Sequence, residues 1–188
     1  LLRRNKIDSR PPRNDRYFTL HQTRNNYNTT MKLLITCPFG TNKILNQELK
    51  FLGFSTFDHF STGVYTESDR WGIIRCNLWS RIANKVFIET ARKGAITDFD
   101  KLFDCIHEVS REDYLYLWSD ISIKTFSTNS TLNSLTTIQS ISHKAILKRL
   151  EEKWDIVMKK PQTIFEIQIH INNNECSVFL NTSGNGLH

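Results

Sequence analysis

The chain has 188 residues, of which 39% are hydrophobic, including twelve Phe and four Trp, so it can bury a core as one domain or as two small ones. No apolar run approaches the length of a membrane span, and residues 1–30 lack the apolar stretch of a signal peptide, which predicts a cytoplasmic protein without membrane contacts. The net charge of +6 lies mostly in residues 1–30, with seven Lys or Arg and two Asp, so total charge alone does not argue for nucleic acid binding.

Residues 1–30 are polar and carry no periodic apolar pattern, which is typical of a disordered segment. One interpretation is a basic arm that gathers phosphate groups. The other, which we favour, is a leader that is not native to the folded part, because Met31 opens the first apolar strand as an initiator would.

The four cysteines are far apart in the sequence and contain no CxxC pair. Each falls inside an apolar segment, which predicts reduced core thiols and neither a disulfide framework nor a metal site. They are Cys37, Cys76, Cys105 and Cys176.

Residues 31–94 predict the order β-α-β-β-α-β, which is the ferredoxin-like arrangement. A strand at residues 33–37 precedes a helix that Thr41 can cap and that Gly53 ends. A hairpin turns at residues 61–63, and the second helix starts near Ser68 or Asp69. Two apolar stripes are predicted to be buried, the first of Ile44, Leu45, Leu49 and Leu52, the second of Trp71, Ile74, Leu78, Ile82 and Val86.

Residues 95–182 predict a second unit of order α-β-α-β-β. Its first helix buries a stripe around Leu102 and exposes an acidic face, which would repel a phosphate backbone. Residues 163–171 alternate strictly and predict a strand with one solvated face, followed by an Asn-rich turn and a returning strand. The acidic face consists of Asp98, Asp100, Asp104 and Glu108.

A helix predicted at residues 137–160 carries the candidate binding site. Ile146, Leu150, Trp154 and Val157 recur every three or four residues and predict its buried stripe, whereas Lys144 and Lys148 point to water. Free backbone N–H groups are expected at the helix start, which suits phosphate groups. The predicted RNA-binding residues are Gln139, Ser140, Ser142, His143, Lys144, Lys148, Arg149, Lys159 and Lys160.

Four segments taken in order resemble the amino-terminal half of the bacterial ribosomal RNA large-subunit guanine-N2 methyltransferases that carry a THUMP domain. They are ITCPFGTNKILNQELKFLGF at residues 35–54, LWSRIANKV at 78–86, IQSISHKAI at 138–146 and SGNGLH at 183–188. The resemblance implies an α+β chain with a ferredoxin-like domain at 31–94, a THUMP-like RNA-binding domain at 95–182 and a flexible linker at 183–188 that leads into a methyltransferase domain.

The resemblance also implies a division of labour in the full-length parent, with this fragment holding structured RNA, expected to be rRNA, by its backbone and shape. The Gly-rich loop and the Asn/Asp-Pro-Pro-aromatic motif of the methyltransferase domain are not found in this sequence. We therefore expect no cofactor in the fragment and S-adenosylmethionine in the missing domain.

Three other functions stay open. The same module could belong to a tRNA-modifying THUMP enzyme, or it could be a protein-interaction scaffold that docks a partner along residues 163–181. An autonomous enzyme is disfavoured, because no His, Asp, Glu or Cys stands at a spacing that predicts a catalytic group. The sequence sets no oligomeric state.

Overall fold

A computed structural model describes residues 30–109, 119–154 and 163–187. Within these ranges there are seven strands and four helices, in the predicted order. The predictions for residues 1–29, Val157, Lys159 and Lys160 lie outside the described residues. The elements are β1 (Met31–Thr36), α1 (Asn42–Phe51), β2 (Ser55–Phe60), β3 (Gly63–Ser68), α2 (Arg70–Trp79), β4 (Lys85–Lys93), α3 (Phe99–His107), β5 (Ser119–Thr128), α4 (Leu135–Trp154), β6 (Thr163–Asn172) and β7 (Glu175–Asn181).

All seven strands form one sheet in the order β2-β3-β1-β4-β7-β6-β5. The first four have the predicted ferredoxin-like arrangement, with β1 antiparallel to both β3 and β4. β5 and β6 are parallel, as a strand-helix-strand crossover through α4 requires. β7 lies antiparallel between β4 and β6 and so joins the two halves of the chain. The predicted α+β class and element order are confirmed, while the domain boundaries at residues 94 and 182 stay predictions.

The core lies between one face of the sheet and the helices. Leu33 and Ile35 of β1 point toward this side, whereas Leu34 between them packs with Phe87 and Phe179 on the opposite face. The larger cluster joins Met31, Leu33 and Ile88 to buried residues of α3, α4, β6 and β7, so both halves contribute to a shared core. All four cysteines are buried.

Helix α1 buries part of its predicted stripe. Leu45 and Leu49 are fully buried, but Ile44 is 54% exposed, so its predicted burial is wrong. Thr41 does not cap the helix with its side chain, because its hydroxyl donates to the carbonyl of Pro38 at 2.8 Å. Gly53 follows the helix with φ of +84°, which confirms the predicted left-handed terminus.

Helix α2 begins as predicted but faces the other way. Asp69 caps it by accepting a 2.9 Å hydrogen bond from the backbone N–H of Gly72. Gly72 and Cys76 are buried against the sheet, whereas Trp71, Ile74 and Leu78 are exposed. The predicted burial of these three residues is therefore wrong, because the small residues allow the backbone to approach the sheet more closely than the bulky ones could.

The segment after β7 is hydrogen-bonded to the first half of the chain. The side-chain amide of Asn77 donates to the Thr182 hydroxyl at 3.3 Å. The Ser183 hydroxyl donates to the side-chain oxygen Oδ1 of Asn77 at 2.7 Å. The N–H of Leu187 donates to the carbonyl of Asn84, and the Leu187 side chain packs against the core under α1 and α2. The prediction of a flexible linker did not anticipate these contacts.

Candidate nucleic-acid interface

Helix α4 is amphipathic over the part whose side chains are described. Ile138, Ala145, Ile146 and Leu150 are buried, which confirms the predicted burial of Ile146 and Leu150. The side chain of Trp154 lies outside the described residues. The buried stripe covers β5 and β6, so the opposite side of α4 faces solvent at the edge of the sheet.

Five of the predicted binding residues lie together on this solvent side, which we call the α4 polar face. Each of them is exposed, and the predicted exposure of Lys144 and Lys148 is confirmed. The five are Gln139, Ser140, His143, Lys144 and Lys148.

Ser142 does not belong to this face. It is fully buried, and its hydroxyl donates a 2.6 Å hydrogen bond to the carbonyl of Ile138 one turn earlier. Its spacing of four from both Ile138 and Ile146 places it on the buried stripe, so a ligand outside the helix cannot reach it. Arg149 is half-buried and lies beside the same stripe.

The helix starts earlier than predicted. α4 begins at Leu135, and the N–H of Ile138 already donates to the carbonyl of Ser134 at 2.9 Å. The N–H groups of Gln139 and Ser140 are therefore positioned to bond within the helix, and the prediction that they are free for phosphate groups is wrong. Only the side chains of these residues are then available to a ligand.

The charge along α4 is uneven. Residues 135–149 contain Lys144, Lys148 and Arg149 and no acidic residue, whereas Glu151 and Glu152 follow in the next turn. The ammonium group of Lys148 is 3.9 Å from Glu152 and 5.6 Å from the ring centre of Phe103 on α3. Lys144 forms no ion pair within the described residues, so its charge is available to an anionic ligand.

A cavity of about 680 Å³ borders the α4 polar face at the edge strand β5. Its walls combine neutral polar side chains of α4 and β5 with isoleucines of β5 and β6. Sequence patterns did not indicate two of its polar members, Thr136 and Ser122, because the helix was predicted to start at residue 137 and no residue of β5 was predicted to bind RNA. The lining residues are Ile121, Ser122, Ile123, Thr136, Gln139, Ser140, His143 and Ile164.

The acidic face of α3 limits the approach of a polyanion. Asp98, Asp100, Asp104 and Glu108 are exposed, as predicted. His107 of α3 contacts Glu152 of α4 at 2.9 Å, so this acidic helix lies directly beside the end of α4. A phosphate backbone would therefore meet α4 from its amino-terminal half and from the β5 side.

Nothing in the described ranges suggests a metal site. No group of three His, Cys, Asp or Glu side chains in residues 30–109, 119–154 and 163–187 could hold a metal ion. In the same ranges, no helix has the length and apolar character needed to cross a membrane.

Comparison with known proteins gives consistent matches. Residues 32–87 match the family model described as the RlmL ferredoxin-like domain. The ribosomal RNA large subunit methyltransferase K/L of Buchnera aphidicola is 23% identical over 159 residues, which are 82% of this chain and 22% of that protein.

Two solved structures share the fold and part of the sequence. A predicted N6-adenine-specific DNA methylase from Listeria monocytogenes is 32% identical with a TM-score of 0.78. SMU.472, a candidate methyltransferase solved in complex with SAH, is 26% identical with a TM-score of 0.75. The match covers 84% of this chain and 42% of each solved chain. The chain thus spans less than half the length of these relatives.

Proposed function

We propose a function from the similarity to these proteins. The chain is a relative of the THUMP-containing RNA methyltransferases and carries the RlmL ferredoxin-like domain at residues 32–87. It acts as the RNA-binding and substrate-positioning part of an S-adenosylmethionine-dependent ribosomal RNA guanine-N2 methyltransferase. The RNA is held by its backbone and shape, and methyl transfer takes place in a separate domain.

The observation that carries the RNA-binding proposal is the α4 polar face, which combines exposed cations with neutral hydrogen-bonding groups. Lys144 and Lys148 are four residues apart and stand on the same side of the helix, roughly 6 Å from each other along its axis. At this separation the two ammonium groups can contact different phosphates of one strand.

The hydrogen-bonding side chains give the face a second kind of contact. Gln139, Ser140 and His143 can donate to phosphate or ribose oxygens and accept from ribose hydroxyl groups. Such contacts set the position of an RNA on the protein without reading its sequence. Together with the repulsion from the acidic face of α3, they orient the bound RNA along the edge of the sheet.

The experiment is a binding titration of the chain with a fluorescently labelled, structured ribosomal RNA fragment. The double change Lys144→Glu and Lys148→Glu should weaken binding by at least roughly 30-fold, because two charge-assisted contacts are replaced by repulsion. Both lysines are exposed, but Lys148→Glu also removes the contacts with Glu152 and Phe103 and places like charges four residues apart. The free energy of unfolding should therefore fall by about 1 kcal/mol.

The matched control is Lys43→Glu with Lys50→Glu, which changes the net charge equally on the exposed surface of α1. Its RNA affinity should stay within about threefold of the unmodified chain. Equal weakening by both pairs would mean that only net charge matters, and an unchanged affinity for the α4 pair would refute the site. A DNA duplex of the same sequence tests the alternative raised by the Listeria relative, and preference for DNA would contradict the RNA assignment.

A further inference from the structure

Helix α2 presents a row of large apolar side chains to solvent. Trp71, Ile74 and Leu78 are 64%, 47% and 73% exposed, and their spacings of three and four residues align them on one face. Trp79 borders them and is 68% exposed. We call these four residues the α2 apolar stripe. Single exposed apolar residues are common in proteins, but a contiguous set with two tryptophans is typical of a contact surface.

The fold fixes this orientation of α2. A Cβ atom at Gly72 would stand 2.6 Å from the Cβ of Ser68 and 3.2 Å from the ring of Phe54, so only glycine permits this close packing. Cys76, one turn later, is fully buried. The helix cannot turn its tryptophans inward without losing this packing, and the stripe is therefore a stable feature of the surface.

The chain leaves the fold beside the same helix. Asn77, which lies next to Leu78 in α2, is hydrogen-bonded to Thr182 and Ser183 in the segment after β7. The next contacts are those of Leu187, whose side chain packs against the core under α1 and α2. The N–H of Leu187, the last described residue, donates to the carbonyl of Asn84, five residues after Trp79 at the end of the stripe.

From this placement we infer that the α2 apolar stripe is the docking surface for the methyltransferase domain that the resemblance places after residue 188. The domain is of sufficient size, since 58% of each solved relative lies outside the match that covers 42% of it. A domain joined to the same chain has a high local concentration, so even a modest apolar contact holds the two parts together. Burial of the two tryptophans supplies the main stabilisation. The inference does not depend on RNA binding by α4.

The experiment measures the accessibility of Leu78→Cys to a maleimide reagent. The four native cysteines are all buried, so the introduced thiol is the principal target. Labelling is compared between the chain of residues 1–188 and the full-length protein that the resemblance predicts. The thiol should react at least roughly tenfold more slowly in the full-length protein, which corresponds to a docked state favoured by about 1.4 kcal/mol.

The control is Phe51→Cys on α1, where the native side chain is 90% exposed and lies outside the stripe. Its labelling rate should be similar in both proteins. Equal rates for Leu78→Cys in the two proteins would overturn the inference, as would a reading frame that ends at His188. Protection that appears in residues 1–188 alone as concentration rises would assign the stripe to a second copy and would also overturn it. Leu78→Cys should stay protected in the full-length protein when Lys144 and Lys148 are also changed to Glu. This outcome would show that docking does not depend on the proposed RNA binding.

Discussion

Lys85 of β4 and Glu166 of β6 form a 3.1 Å ion pair that reaches across β7 and so joins the two halves of the chain. The carboxylate also accepts from Lys124 of β5 at 2.9 Å and from the Gln168 amide at 2.8 Å. The side chains of Lys85 and Glu166 are only 20% and 16% exposed, so solvent screens this pair less than a surface pair.

Replacing Glu166 with Gln should lower the free energy of unfolding at pH 7 by about 1–3 kcal/mol, because Lys85 and Lys124 lose their shared counter-charge. Burial by itself raises the pKa of Glu166, but hydrogen bonds from Gln168, Lys124 and Lys85 outweigh it and lower the pKa. The stabilisation is therefore complete above the unfolded-state pKa and is lost as pH falls through the lowered folded-state pKa. Urea unfolding should show a smaller difference between wild type and variant at pH 3 than at pH 7. Glu67→Gln on an exposed position of β3 is the control and should change stability little.

His170 predicts a second pH dependence. Its ring lies between Phe126 and Phe179, at centroid distances of 4.7 and 5.0 Å, and burial lowers its pKa to about 4. The unfolded chain binds this proton near pH 6.5, so stability falls as pH drops from about 6.5 to 4, by up to about 3 kcal/mol. His170→Phe keeps an aromatic ring but removes the titrating group. Unfolding curves between pH 7 and pH 4 should be flatter for the variant, and an unchanged profile would contradict this assignment.

Gly72→Ala should destabilise the fold by about 1–3 kcal/mol, because the added methyl group collides with Ser68 and Phe54. Gly94→Ala is the matched control, since no atom lies within 4 Å of a Cβ built at that position. Thermal unfolding of both variants checks the prediction. Equal melting temperatures would show that α2 can shift away from β3 at little cost.

Salt titration should separate the two kinds of residue on the α4 polar face. Changing Lys144 and Lys148 to Ala should reduce the slope of log K against log salt by about 2, one for each lost phosphate contact. Changing Gln139 and Ser140 to Ala should weaken binding and leave the slope nearly unchanged, because an amide and a hydroxyl carry no charge and release no counterions. Identical slopes for both pairs would contradict the assignment of the lysines to phosphate groups.

Sequence patterns predicted the element order well because the local signals were strong. The alternation in residues 163–171 placed Ile167 and Ile169 in the core, and Gly53 marked the end of α1. Asp69, one of the two residues expected at the start of α2, is its N-cap. Each of these features depends on neighbours within a few residues, which is the range over which periodicity and capping operate.

The errors arose where packing between distant segments decides the outcome. In α2 the helical period was right, but the choice of the buried side depended on contact with Phe54 and Ser68, which favours Gly72 over Trp71. The start of α4 was misplaced because Leu135 follows a Ser/Thr/Asn-rich loop that weakens the boundary signal. The cavity beside α4 could not be predicted from the sequence, because its walls come from both α4 and β5 and their relative position is set by the fold.

The insertion of β7 between β4 and β6 also sets an order of events during translation. Phe87 and Ile88 of β4 find their ladder partners in Asn181 and Leu180, more than ninety residues later along the chain. During translation, the first half therefore leaves the ribosome while the backbone groups along one edge of β4 are still unpaired. This open edge can pair with a neighbouring nascent chain. Closure waits for β7 to emerge from the exit tunnel, which makes its synthesis the step that completes the sheet.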